Sequence, residues 1–204
     1  MSYFITIEGP EGSGKSTVIK ALAKELSDKF EVVTTREPGG IKISEDIRNI
    51  ILDDASAMDY RTEALLFAAS RRQHLVEKVL PALHMDKIVL CDRFIDSSLA
   101  YQGYARGIGV DEIRAINEFA IEGKYPDLTL YLRVEPEIGL LRIKDNSRET
   151  NRLDKEQIDF HKRVVKGYDE LFRLHPDRIK LIDASQPLLE VVNDCLDAIN
   201  KSIK

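Results

Sequence analysis

Gly9-Pro10-Glu11-Gly12-Ser13-Gly14-Lys15-Ser16 is the stretch on which the reading of this chain turns. It meets the pattern G-x-x-x-x-G-K-[ST] at every fixed position. Its glycines let the backbone bend so that several N–H groups face one phosphate. A helix opening near Lys15 presents the positive end of its dipole to the same anion. In such a loop Lys15 bridges the β- and γ-phosphates of a nucleoside triphosphate, and the Ser16 hydroxyl ligates Mg²⁺. Average residue usage would produce the four fixed positions by chance in roughly one chain in a hundred of this size. The required context is also present, with an apolar strand before the loop and a helix-length segment after it.

Outward from the loop, short apolar runs alternate with longer amphipathic stretches. The strands are expected at Tyr3 to Glu8, Glu31 to Thr35, Lys87 to Cys91, Leu128 to Val134 and Ile179 to Ile182. Helices are expected at Lys15 to Lys29, Tyr60 to His84, Asp111 to Glu122, Asp154 to Leu174 and Leu188 to Ile203. Val18, Ile19, Leu22 and Leu26 fall on one face of the first helix. Continuous apolar strands separated by helices predict an α/β fold, with a five-stranded parallel sheet flanked by helices in three layers. Ligands of such sheets bind beyond the C-terminal strand ends. The glycine cluster follows the first strand, Arg36-Glu37-Pro38-Gly39-Gly40 the second and Asp92-Arg93 the third, so all three meet at one edge. Asp92, an acid closing an apolar strand, is placed to reach the magnesium directly or through water.

At 204 residues, with 43% hydrophobic and 32% charged, the chain suits one compact soluble domain. No apolar run approaches bilayer length, and the N-terminus shows no basic region or cleavage site, so a cytoplasmic location is expected. A net charge of −5 argues against a protein that coats nucleic acid. Cys91 and Cys195 have neither disulfide nor metal spacing, and the four histidines form no ligand set. A regulatory GTPase would need D-x-x-G and N/T-K-x-D elements, and neither occurs. The length suits a small-molecule kinase better than a motor or helicase.

Further residues carry a family resemblance. Gly9 to Thr17, Thr35 to Gly40, Phe67 to Arg71, Asp92-Arg93, Ser97 to Gly103 and Tyr125 to Thr129 together resemble bacterial thymidylate kinase, in order along nearly the whole chain. The resemblance implies transfer of the γ-phosphoryl of ATP to dTMP, giving dTDP and ADP for DNA precursor synthesis, in a homodimer. It implies that the loop through Thr17 binds ATP with Mg²⁺ as cofactor, and that Arg48 and Arg93 contact the acceptor phosphate. Phe67 stacks on thymine and Arg71 hydrogen-bonds the base; spacing alone supports only their sharing of a helical face. By the same resemblance Gln102 and Ser98 add contacts, Tyr101 excludes a 2′-hydroxyl, Glu11 approaches the acceptor sugar, and Glu37 and Pro38 belong to the acceptor site.

The polar stretch Arg142 to Asp154 resembles the lid that closes over ATP in these kinases, expelling water that would otherwise take the phosphoryl group. Some relatives carry a catalytic arginine within the phosphate loop, but that position is Gly12 here. The lid is therefore expected to supply it through Arg148 or Arg152, while Arg142 at its base matches the residue that packs on adenine. Two rivals remain: a kinase for another deoxynucleotide or nucleoside, and an ATP-gated binding protein without transfer.

Overall fold

In the computed structural model, which describes residues 2–145 and 152–203, five parallel strands form one sheet in the order β2-β3-β1-β4-β5. The strands are β1 (Tyr3–Glu8), β2 (Val32–Arg36), β3 (Ile88–Asp92), β4 (Leu128–Arg133) and β5 (Ile179–Asp183). The helices are α1 (Lys15–Leu26), α2 (Lys42–Leu52), α3 (Tyr60–His74), α4 (Leu80–His84), α5 (Ile95–Ser98), α6 (Val110–Ile121), α7 (Pro136–Asp145), α8 (Ile158–Leu174) and α9 (Leu188–Ser202).

Alternation along the strands builds a core on each face of the sheet. Ile5, Ile7, Leu90 and Leu130 point to one side, where Val18 and Leu22 of α1 and Val191, Cys195 and Ile199 of α9 cover them. Phe4, Val89, Cys91 and Tyr131 point to the other, against Leu75, Ile113, Val164 and Tyr168. Both cysteines are buried, free thiols. The sheet is thus covered on both sides, as its central strands β1, β3 and β4, buried along almost their whole length, require.

The first strand lies where the sequence places it, and the others differ by a residue or so at one or both ends. The helix expected over Tyr60 to His84 is one continuous run, widened into a π-helical turn at Leu75–Val79. The helix expected from Asp154 starts at Ile158, because Leu153 and Asp154 are buried in a turn that precedes it. The helical segment at residues 95–105 was not anticipated; its second part, Leu99–Ala105, is π-helical. Within the expected lid, residues 142–145 complete α7 and residues 146–151 lie outside the described residues.

Register aligns the rim that carries the unusual residues. Asp92 stands beside Ile7 of β1 and Arg36 of β2, so the three loops that follow open at one level.

Candidate functional site

The phosphate loop leaves β1 through three glycines with left-handed backbone, Gly9 at φ 145°, Gly12 at 71° and Gly14 at 87°. A side chain at Gly12 would overlap the Gly139 carbonyl of α7, so loop and helix meet backbone to backbone. Lys15 opens α1, and its Nζ donates to the carbonyls of Gly9 (3.1 Å) and Pro10 (2.9 Å) and to Ser13 Oγ (3.2 Å). Burial first, then the charge of Arg93, brings its ammonium down to about 8. Next to it, Ser16 Oγ donates to Asp92 Oδ2 at 3.0 Å. A hydroxyl and a carboxylate oxygen beside a phosphate cradle form a hard-oxygen donor set suited to Mg²⁺, which takes few protein ligands and completes its shell with phosphates and water.

Arg93, just beyond β3, also has left-handed backbone, with φ 70°. Its Nη1 donates to the Gly9 carbonyl at 2.9 Å, and its Nη2 to Glu11 Oε1 at 2.7 Å and Tyr101 Oη at 3.1 Å. Tyr101 Oη donates to the same Glu11 oxygen. Behind Arg93, the fully buried Glu8 accepts from Phe94 N (2.7 Å), Ser97 Oγ (2.6 Å) and Tyr168 Oη (2.8 Å). Burial, with the charge of Asp96 second, lifts the Glu8 carboxyl to about 7. Burial also pushes the phenols of Tyr101 and Tyr168 well up, so both serve as neutral donors.

The nearly inaccessible Arg71 of α3 is held by four partners. Its Nε donates to Glu37 Oε2 at 2.7 Å, Nη1 to Ser98 Oγ at 3.0 Å and to Asn117 Oδ1, and Nη2 to the Phe94 carbonyl at 2.9 Å. His74 Nδ1 contacts the other Glu37 oxygen at 2.8 Å, and its Nε2 meets Thr35 Oγ1 at 2.7 Å. Glu37 is therefore engaged by two side chains of α3, and one Nη2 hydrogen of Arg71 is left for the cleft. Arg48 of α2 donates to the Pro38 carbonyl at 3.0 Å, and Arg36 pairs with Glu45 at 2.9 Å.

These groups surround one cleft of about 500 Å³. Glu11, Gly12, Gly14, Lys15, Ser16, Thr17, Asp92 and Arg93 line it, together with Glu37, Pro38, Arg48, Phe67, Arg71, Ser98, Tyr101 and Gln102. Gly9, Pro10 and Ser13 of the loop do not line the cleft but hold Lys15 through the bonds given above. Arg142 faces the cleft at the base of the expected lid and donates to the Ala184 carbonyl at 2.8 Å. Arg152 does not face the loop. Its Nε donates to the Ile51 carbonyl at 3.0 Å and its Nη2 pairs with the buried Glu63 of α3. Arg148 lies outside the described residues.

Sequence reasoning had noted Arg36 without assigning it a role, although it ends β2 at the same rim. Tyr168, Asn117 and Glu63, which hold Arg93, Arg71 and Arg152, gave no local signal, because each lies far from its partner in the chain.

Comparison with known proteins shows the family. The thymidylate kinase family model matches residues 7–195. A thymidylate kinase of Clostridium novyi (strain NT) is 63% identical over 194 residues, spanning 94% of this chain and 95% of the relative. One of Staphylococcus haemolyticus (strain JCSC1435) is 54% identical over 204 residues and the full length of both. The crystal structure of thymidylate kinase from Ehrlichia chaffeensis superposes with a TM-score of 0.81 at 35% identity, covering 98% of each chain. These matches run over nearly the whole chain, the residues of the cleft included, and the chain belongs to the thymidylate kinase family.

Proposed function

We infer that this chain transfers the γ-phosphoryl group of ATP to the phosphate of dTMP, giving ADP and dTDP. The observation that carries the reading is a single cleft with two separate anion-binding devices. One is made of main-chain amides around Lys15, and the other of the guanidinium groups of Arg48 and Arg93. A protein that only binds a nucleotide has no use for the second.

In this reading the loop holds the β- and γ-phosphates and Lys15 turns from its own carbonyls toward them. Ser16 and Asp92 would hold Mg²⁺, which supplies charge neutralisation on the transferred group. Arg48 and Arg93 hold the acceptor phosphate and offset its repulsion from ATP, leaving the reacting oxygens in line. Phe67 offers a ring to the base, Arg71 and Gln102 offer polar groups to its edge, and Tyr101 with Glu11 closes the sugar side. Arg142 flanks the adenine, held by the loop after β5. A lid arginine completes charge neutralisation; with Arg152 engaged by Glu63, we assign that role to Arg148.

The exposed apolar side chains support a homodimer. Ile43 and Ile50 of α2, Leu65 of α3 and Phe119 of α6 are all exposed, Phe119 at 87%, and these three helices pack side by side. No helix among the described residues is long and apolar enough to cross a membrane. The reading places the chain in the cytoplasm, with its nucleotide substrates.

ADP release measured with dTMP, dUMP, dCMP, dGMP and thymidine in turn should be fastest with dTMP and negligible without an acceptor. Lys15→Ala should nearly abolish turnover while leaving the unfolding temperature within a few degrees. Equal rates for several acceptors would favour a kinase of broader range, and acceptor-independent ADP release would favour an ATP-gated binding protein.

Because free Lys15 titrates near 8 and phosphate raises its affinity for the proton, ATP binding should weaken as pH climbs through about 8. The loss should approach about tenfold per pH unit. Calorimetry in two buffers of different ionisation heat should detect proton uptake on binding near that pH. A constant affinity up to pH 9.5 would remove Lys15 as the titrating contact.

Arg148→Ala should lower kcat by at least about tenfold, roughly 1.4 kcal/mol of transition-state stabilisation, with little change in the KM for dTMP. Phe119→Asp should convert the dimer to a monomer in light scattering, and a wild-type chain already monomeric would refute the dimer.

A further inference from the structure

Glu63 is a buried carboxylate that does not line the cleft yet holds a side chain that does. It sits in the first turn of α3 with no exposed surface. Its Oε1 accepts from Gln102 Nε2 at 2.9 Å and from Arg106 Nε at 3.4 Å. Its Oε2 accepts from Arg106 Nη2 at 3.4 Å and pairs with Arg152. Arg106 is itself fixed between the rings of Tyr60 and Phe160, 4.5 Å from each centroid, and its Nη1 pairs with Glu156 at 2.6 Å.

Each of these partners presents a donor, so Glu63 acts only as an acceptor. A glutamine side chain has one donating and one accepting end of nearly equal shape, and which end faces a ligand is set by what holds the other. Facing a carboxylate within two ion pairs, Gln102 must present Nε2. Its Oε1 is left for the cleft, which Gln102 lines.

We propose that Glu63 is a specificity-positioning residue that locks the Gln102 amide with its oxygen toward the acceptor base. The site then takes a pyrimidine protonated at N3 and rejects one whose N3 carries a lone pair. This deepens the dTMP reading above and rests on it. Arg71, whose guanidinium can only donate, lines the same cleft. A donor beside an acceptor matches O4 and N3–H of thymine, whereas cytosine offers an amino group and a bare nitrogen and fails at both. A site whose buried polar groups are left unpaired by the wrong ligand discriminates far more strongly than an apolar pocket does. With Glu63 replaced by an amide, either end of Gln102 can face the base.

The test is kcat/KM for dTMP, dCMP and dUMP at saturating ATP in wild type, Glu63→Gln, Gln102→Met and the double variant. Glu63→Gln should reduce the dTMP-to-dCMP ratio by about tenfold or more. The dTMP-to-dUMP ratio should stay within about twofold, since both bases present the same edge. In the Gln102→Met background Glu63→Gln should move the dTMP-to-dCMP ratio no further, because the carboxylate acts through that amide. An unchanged dTMP-to-dCMP ratio in Glu63→Gln, or an equal shift in the Gln102→Met background, overturns the proposal. If Glu63→Gln alone does not fold, Glu63→Gln/Arg152→Gln removes one facing positive charge with the carboxylate, leaves Arg106 paired with Glu156, and carries the same measurement. Any rate loss common to the acceptors leaves these ratios unmoved. A wild-type chain that phosphorylates no thymidylate at all would instead sink the reading on which the proposal rests.

Discussion

Two phosphate groups must approach to bonding distance, and their mutual repulsion is the constraint this molecule is built around. A pair of unit charges 4 Å apart costs about 1 kcal/mol in water and about 4 kcal/mol near a protein surface, and each nucleotide brings more than one charge. The sheet resolves the problem by geometry. Parallel strands in matched register deliver three loops to one rim, where residues of all three line one cleft.

Gathering cations at that rim creates a second difficulty, because guanidinium groups removed from water are costly unless each N–H has a partner. Arg71 and Arg93 are satisfied in different ways. Arg71 is part of a permanent scaffold, bonded to Glu37, Ser98, Asn117 and the Phe94 carbonyl. Arg93 keeps partners that a phosphate can displace, since Glu11 and Tyr101 both line the cleft with it. Glu8 and Tyr168 stay behind them, bonded through Ser97, and keep the guanidinium aimed when its front contacts change. The two arginines thus differ in that all the bonds of one run to the scaffold, while the other shares its partners with the cleft, a division that suits the base and phosphate roles proposed above.

Much of this was legible in the sequence, and the reason is locality. The phosphate loop, the strand ends at Arg36 and Asp92, and the helical pair Phe67 and Arg71 each announce themselves within a few residues. What escaped depends on contacts across the chain. Glu8 and Tyr168 are 160 positions apart, and the bond between Arg152 and Glu63 spans 89. No periodicity encodes such pairs. The bond of Arg152 to Glu63 was not legible, because a polar composition says nothing about which buried acid an arginine meets. The π-helical turns at Leu75–Val79 and Leu99–Ala105 were missed for a related reason, as an apolar pattern does not distinguish a widened turn from an ordinary one.

The placement of the lid follows from the loop itself. Gly12 has left-handed backbone, and its Cα side is filled by the Gly139 carbonyl, so no side chain at that position fits without parting the loop from α7. Gly139 is under the reciprocal restriction from the Glu11 carbonyl. The loop therefore cannot carry its own arginine, for a steric reason rather than a chemical one. That same contact keys α7 to the phosphate loop, and α7 carries Arg142, at the base of the expected lid, one turn later. The absence of a side chain at Gly12 is what lets α7 pack backbone to backbone against the loop.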